Sequence, residues 1–317
     1  MAKKRRVTPK NKPEVDTSQQ GASPKPAAQA IKEIEGIMRC RVIVYAARRS
    51  IGPWDVAPFY SLLEKLGHQD KLAIIIQSTG GFPDDAFKIA KVIRESSDHV
   101  TFVVPSYANS AATLLCLSGD CILMGPVSEL GPTNPMMYVD ERLITPTVPQ
   151  PMIDGGSQEK PTQPRQRQMA AHALRDFLKA SGVLRADGKG YDPEVLSVYM
   201  AKGVLNPFLL GDFERSGKIA VQYTETLLTD YMFRGREDSK ALANEAAAHL
   251  CEGYYDHQYP IVRKEAREVL HLNVEDMSSE LWNHCSELMQ AYDQMMEAQS
   301  IAVIIETSND FKITHWK

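Results

Sequence analysis

Residues 72–117 read LAIIIQSTGGFPDDAFKIAKVIRESSDHVTFVVPSYANSAATLLCL, and this stretch decides the fold. Leu72 to Gln77 is an unbroken run rich in β-branched residues, the pattern of a strand buried on both faces of a parallel sheet. Ser78-Thr79-Gly80-Gly81 breaks it, and Asp84 to Arg94 follows with Ala86, Ile89, Ala90 and Ile93 on one helical stripe. Val100 to Val104 returns as a second buried strand, which completes a β-loop-α-β unit with an expected right-handed crossover. After Pro105 the unit repeats in shorter form, with Asn109 to Leu117 as a helix and Cys121 to Met124 as a third strand. Two successive units predict a stacked α/β sheet whose working loops lie at the carboxyl ends of its strands.

Upstream, Arg41 to Ala47 is a further strand candidate, and Asp55 to Leu66 is a helix that Gly67 ends. Downstream, residues 131–166 hold much Pro, Thr, Gln and Gly with little periodicity, and a loop that long inside a domain is expected to be functional or disordered. Helices are predicted over 166–181, 192–203, 216–233, 238–250 and 280–299, and a strand over 301–307. Residues 1–28 are rich in Lys, Pro, Ser, Gln and Ala and read as a disordered basic tail. The remainder, 29–317, reads as one domain: stacked β-α-β units, the long loop at 131–166, a mostly helical stretch at 167–299, and a strand and tail at 300–317.

The totals set outer limits. Of 317 residues, 43% are hydrophobic and 24% charged, which is ordinary for a globular chain. A net charge of −4 offers nucleic acid no general attraction, and the early run of Lys3, Lys4, Arg5 and Arg6 reads as a solvated tail rather than a contact or a secretory signal. No run of about 18 apolar residues occurs, so no bilayer-spanning helix is expected. Five cysteines, an odd count with no C-x-x-C pair, predict neither metal nor disulfide, and Cys116 and Cys121 read as buried thiols. A cytoplasmic protein without cofactor fits this usage.

Chemistry is expected where two segments converge. Thr79-Gly80-Gly81 sits where a buried strand meets a helix, and glycines there let backbone N–H groups face a ligand. Alone it is a turn. Some thirty residues on, Ala108-Asn109-Ser110-Ala111-Ala112-Thr113 places a serine at a helix start, where its ordinary role is an N-cap. Neighbouring parallel strands bring both loops to one sheet edge. There Gly80 or Gly81 and the Ala111 N–H can hold one oxyanion beside the Ser110 hydroxyl, aided by the positive end of the helix.

These residues resemble the serine dehydrogenase proteinase family of Clp-fold serine peptidases, related to signal peptide peptidase A. Its members pair a Thr-Pro-Gly-Gly turn with a His/Tyr-Ala-Met-Ser-Gly-Gly-Thr segment; the counterparts here are Ser78-Thr79-Gly80-Gly81 and Tyr107-Ala108-Asn109-Ser110-Ala111-Ala112-Thr113. Leu130-Gly131-Pro132-Thr133-Asn134-Pro135 is similar to the family's Leu-Gly-Pro-Val/Ile-Asp-Pro, and Asp256-His257-Gln258-Tyr259-Pro260-Ile261 to its His-Asp-Tyr-Pro-Ile. The likeness runs in order from about residue 40 to 290. It implies a Clp/crotonase-like fold, hydrolysis of peptide bonds in a peptide or protein substrate through Ser110, and assembly into a homo-oligomer. The sequence departs from the family in Ala111-Ala112 for Gly-Gly, Asn134 for Asp and Thr79 for Pro.

A serine hydroxyl needs a base. The related signal peptide peptidases use a downstream lysine, which registers near Met169 here and is absent. His172, Lys179 and Lys160 are the candidates nearby, each with an ordinary alternative as a hydrogen-bonded helical histidine, a helix C-terminal lysine and a solvated loop lysine. His257, beside Asp256 and ahead of Tyr259-Pro260, reads as part of a rigid turn rather than as the base. Two other readings stand beside the hydrolase: a catalytically impaired member acting as an oligomeric binding or scaffold component, favoured by Ala111-Ala112 and the missing lysine, and an acyl-CoA enzyme of crotonase type.

Overall fold

The computed structural model describes residues 25–140, 166–188 and 190–316. Its chain runs α1 (Lys25–Met38), β1 (Arg41–Ala47), α2 (Pro53–Leu66), β2 (Gln69–Ser78), α3 (Pro83–Glu95), β3 (Ser97–Val104), β4 (Tyr107–Ala108), α4 (Ala111–Cys116), β5 (Cys121–Met124) and β6 (Glu129–Leu130). There follow β7 (Met136–Asp140), β8 (Gln166–Ala170), α5 (Ala171–Ala180), α6 (Pro193–Ala201) and α7 (Pro207–Leu227), which a π turn at Leu228–Met232 extends. The last part holds α8 (Ser239–Ala248), a π turn at His249–Gly253, β9 (Ile261–Val262), α9 (Arg263–Glu268), β10 (Val274–Asp276), α10 (Ser279–Ala298), β11 (Ile301–Glu306) and β12 (Phe311–His315).

The main sheet has the order β10-β5-β3-β2-β1-β11-β12. Its centre is parallel, from β10 through β5, β3 and β2 to β1, and β11 and β12 close one side antiparallel. Both faces are covered, which explains the unbroken apolar strands. Ile43, Tyr45, Ile74, Ile76 and Phe102 pack with α2, α3 and α4, while Val42, Val44, Ala73, Ile75 and Val103 pack with α1 and α10. Period-two alternation thus divides each strand between two cores. The stacked β-α-β units expected from residues 72–117 are present, and a smaller cluster of Ala171, Leu174, Leu178, Leu205, Leu209 and Phe213 ties α5 to the start of α7.

Several stretches differ from the sequence reading, among them β10 in the main sheet, which was not read as a strand, and α7, which starts at Pro207 rather than 216. Helix α1 begins at Lys25, inside the segment read as tail, because Ile31 and Ile34 dock fully buried on the sheet; residues 1–24 lie outside the described residues. Met136–Asp140 and Gln166–Ala170 pair as an antiparallel ladder where a loop and the first turns of a helix were expected. A strand partner distant in sequence overrides local helix preference there. Phe311–His315 adds the edge strand β12 to a stretch read as tail.

At the end of β11, Glu306 is fully buried. Its Oε2 accepts a hydrogen bond from the Tyr292 hydroxyl at 2.5 Å, and its Oε1 has no partner. Burial pushes the Glu306 carboxyl up from 4.5 to about 7, the tyrosine bond working against that rise. The native state therefore holds this proton more tightly than the unfolded chain does. Stability is retained at acidic pH and falls as pH rises from about 4.5 through 7, by about 3 kcal/mol at most. Urea unfolding at pH 5 and pH 8 is expected to show this fall in the wild type and a smaller one in Glu306→Gln.

Candidate active site

The loops at the carboxyl ends of β2 and β4 meet as the sheet requires. Ser78 pairs with Ala108, and the Asn109 N–H donates to the Ser78 carbonyl at 3.0 Å. The chain then turns sharply into α4. Ser110, at the turn, has φ 55° and ψ −120°, a backbone state that a residue with a Cβ rarely adopts. Its carbonyl accepts from the Leu114 N–H at 3.0 Å, so the residue occupies the N-cap place, yet its side chain makes no capping hydrogen bond. The ordinary N-cap reading of Ser110 is thus overturned, and such strain persists only where the surroundings enforce it.

Those surroundings are specific. Gly80, at φ 96°, lies so close that a Cβ there would stand 2.5 Å from the Asn109 carbonyl oxygen and 2.7 Å from the Ser110 Cβ. On the far side Ile51 pairs with Gly81. The Ile51 N–H donates to the Gly80 carbonyl at 2.8 Å, and its carbonyl accepts from the Phe82 N–H at 2.9 Å. Thr113 staples the start of α4, its Oγ1 lying 2.6 Å from the Ala108 carbonyl oxygen and accepting from the Gly131 N–H at 2.9 Å. Of the amides read as oxyanion donors, that of Gly80 donates to Ser78 Oγ at 3.1 Å, while Gly81 and Ala111 line the cleft beside Ser110.

This cleft measures about 440 Å³. Besides Ser110, its walls come from the 79–84 loop, the 133–136 segment, Ser216, Ile219, Ala220 and Thr224 of α7, and the turn at His257 and Gln258. Across it, His257 Nδ1 lies 2.6 Å from Asn134 Oδ1. A carboxamide oxygen can only accept, so Nδ1 carries a proton and donates it to Asn134. Asn134 is itself 3% exposed, and its neighbour Thr133 is held by a bond from its N–H to the Leu250 carbonyl at 2.9 Å.

A strained serine, Gly81, Ala111 and a histidine hydrogen-bonded to Asn134 thus meet at one cleft. Residues 65–143 match the family model of the ClpP-like SDH-type serine proteinases. The likeness read from the motifs holds over this SDH-type segment, which contains Gly80, Gly81, Ser110, Ala111 and Asn134 but not His257. Two uncharacterized proteins of Methanocaldococcus jannaschii are also similar. One is 27% identical over 62% of this chain and 51% of its own length, the other 26% identical over 34% and 41%. The chain spans about half the length of the curated relatives it matches, or less. A solved 1510-N membrane-bound stomatin-specific protease aligns over 75% of this chain and 80% of its own at 14% identity, with a TM-score of 0.36, a value at which chain-level likeness decides nothing.

Of the three base candidates read from the sequence, Lys179 alone lies with its side chain among the described residues. Lys179 is exposed in the last turn of α5, beside Glu252, and does not line the cleft. Lys160 and the side chain of His172 lie outside the described residues. His257 is the functional candidate that sequence reasoning set aside. Asp256, its neighbour in sequence, turns its carboxylate to the Gln258 N–H at 2.9 Å, and the partner of the imidazole comes from 123 residues away. The motif likeness at 256–261 was the signal that could have found it. Among the described residues no group of three or more His, Cys, Asp or Glu side chains gathers to hold a metal, and no helix is long and apolar enough to cross a membrane.

Two glycines with similar backbone demands test the crowding at Ser110. Gly67, at φ 70°, has nothing within 4 Å of an added Cβ, so Gly67→Ala is expected to cost about 1 kcal/mol for the conformation alone. Gly80→Ala meets backbone as well and is expected to cost about 2–4 kcal/mol in urea unfolding, with the Ser110 turn displaced.

Proposed function

We propose that this chain is a serine peptidase in which Ser110 is the nucleophile, His257 the general base and Asn134 the residue that orients it. The observation that carries the reading is the left-handed, uncapped Ser110 packed against Gly80. Strain of that kind at a helix start aims a hydroxyl out of the helix and into a cleft, as a nucleophile requires. The SDH-type segment supports the same activity.

In this mechanism Ser110 Oγ attacks the carbonyl carbon of a peptide bond while His257 Nε2 takes the hydroxyl proton. The oxyanion formed is held by the Gly81 and Ala111 N–H groups. Collapse breaks the C–N bond, and the leaving amine receives the proton from His257. A water molecule then gives its proton to Nε2 and its oxygen to the acyl carbon, which releases the acid and restores Ser110. Asn134 holds the Nδ1 proton throughout. Being neutral, it offsets the imidazolium charge less than the Asp of the family pattern does.

The substrate is a peptide or an extended segment of a protein, read into the cleft alongside α7, whose small Ser216 and Ala220 leave room for a backbone. The proposal extends to a homo-oligomer working in the cytoplasm. All five cysteines are free, which supports a reducing compartment, and assembly rests on analogy with the family.

A fluorophosphonate probe is expected to label the wild type and to leave Ser110→Ala unlabelled. His257→Gln is expected to lower kcat by about 10²–10⁴-fold on a peptide substrate, and Asn134→Asp to raise it. Absence of labelling and of peptide cleavage in a folded wild type would overturn the reading, and an unchanged His257→Gln would remove His257 from it.

A further inference from the structure

Arg49, in the loop between β1 and α2, and Asp55, in the first turn of α2, form a buried ion pair that the chemistry above does not touch. Arg49 donates from both terminal nitrogens to the two carboxylate oxygens of Asp55, at 2.8 and 2.7 Å, and the two side chains are 7% and 1% exposed. The Trp54 ring covers the guanidinium at 5.0 Å. Such a pair is a poor device for stability, since removing two charges from water costs as much as their attraction returns. Here the cost is visible: Arg49 Nε has no partner, and burial raises the Asp55 carboxyl above its ordinary value in spite of the arginine.

What the pair does hold is backbone. Arg49 also donates to the Ser50 carbonyl at 2.9 Å, and Asp55 Oδ2 accepts from the Gly52 N–H at 2.9 Å. Ile51 is therefore fixed from both sides. Its own two backbone groups are the ones bonded to Gly80 and Phe82. In a parallel bridge the residue between two bonded neighbours turns its N–H and C=O away from the partner strand. Gly81 is that residue, and it cannot retreat toward Ile51, whose backbone nitrogen would lie 2.3 Å from a Cβ at Gly81.

We infer that the Arg49–Asp55 pair is a positioning element for the oxyanion site, setting the Gly81 amide through Ile51. The inference rests on the serine-peptidase reading of the cleft. It assigns neither residue a contact with substrate. An error of about 1 Å in an oxyanion donor is felt in the transition state and hardly at all in the ground state, so the pair acts on kcat and not on KM.

The deciding variant is Arg49→Met with Asp55→Leu in the full chain. It removes both charges together, leaves no orphaned ion, and is expected to keep or raise Tm. Expected are a fall in kcat of about 10–100-fold on a peptide substrate, KM within about twofold, and a parallel fall in the rate of fluorophosphonate labelling. Amide hydrogen exchange at Ile51 and Phe82 is expected to quicken at least about tenfold, with the β2 amides unchanged. Retained Tm with unchanged kcat, or a loss confined to KM, would overturn the inference. Should the double variant fail to fold, Asp55→Asn is measured in its place, with Tm lowered by the orphaned Arg49 charge and the same fall in kcat and quickened exchange expected. If the wild type proves inactive, the peptidase reading falls first. The exchange measurement then still decides whether the pair holds Ile51, because unchanged protection at Ile51 and Phe82 overturns the clamp on its own.

Discussion

A Cβ on Gly80 would stand 2.7 Å from that of Ser110 and 2.8 Å from the Ala111 nitrogen. Two loops of one sheet are pressed together there closer than side chains permit, and the rest of the cleft is arranged around that contact. The Ser110 turn cannot relax toward a common helix start, because Gly80 fills the space below it while the Thr113 staple and the Asn109 bond to Ser78 hold its flanks. Gly81, one residue on, is held by Ile51 from the opposite side. Strain at the serine is thus maintained by backbone contacts on two neighbouring strands.

That arrangement draws on the whole sheet. Parallel β1, β2 and β3 keep their carboxyl ends at one edge only while both faces stay covered, and the two cores divide the strands between them residue by residue. Helix α7 then closes the cleft from above, and the 133–136 segment and the His257 turn enter from later parts of the chain. The buried Glu306–Tyr292 and Arg49–Asp55 pairs show that polar groups are tolerated inside these layers at a cost, one where β11 ends and one where β1 turns toward the cleft.

Much of this was legible along the chain. The unbroken runs at 72–77 and 100–104, the glycine pair and the serine at a helix start placed β2, α3, β3, α4 and β5 within a few residues, since periodicity and glycine punctuation act over short range. The meeting of Ser110, Gly81 and Ala111 at one cleft followed from the same signals. His257 did not. Its sequence neighbour Asp256 suggested a local pairing, whereas the carboxylate caps its own turn and Asn134 faces the ring. The β7-β8 ladder was missed for a related reason, as the two strands find each other only through pairing across residues 141–165.

The sequence by itself determined the stacked α/β core and the meeting of a glycine turn with Ser110, because strand and helix periods and the steric freedom of glycine are properties of short segments. Only the tertiary structure decided that Ser110 is strained and uncapped, that the Gly80 amide is spent on Ser78 while Gly81 lines the cleft, and that Asn134 hydrogen-bonds His257. Each of these depends on atoms brought within about 3 Å by packing of distant segments, and no local pattern records that approach.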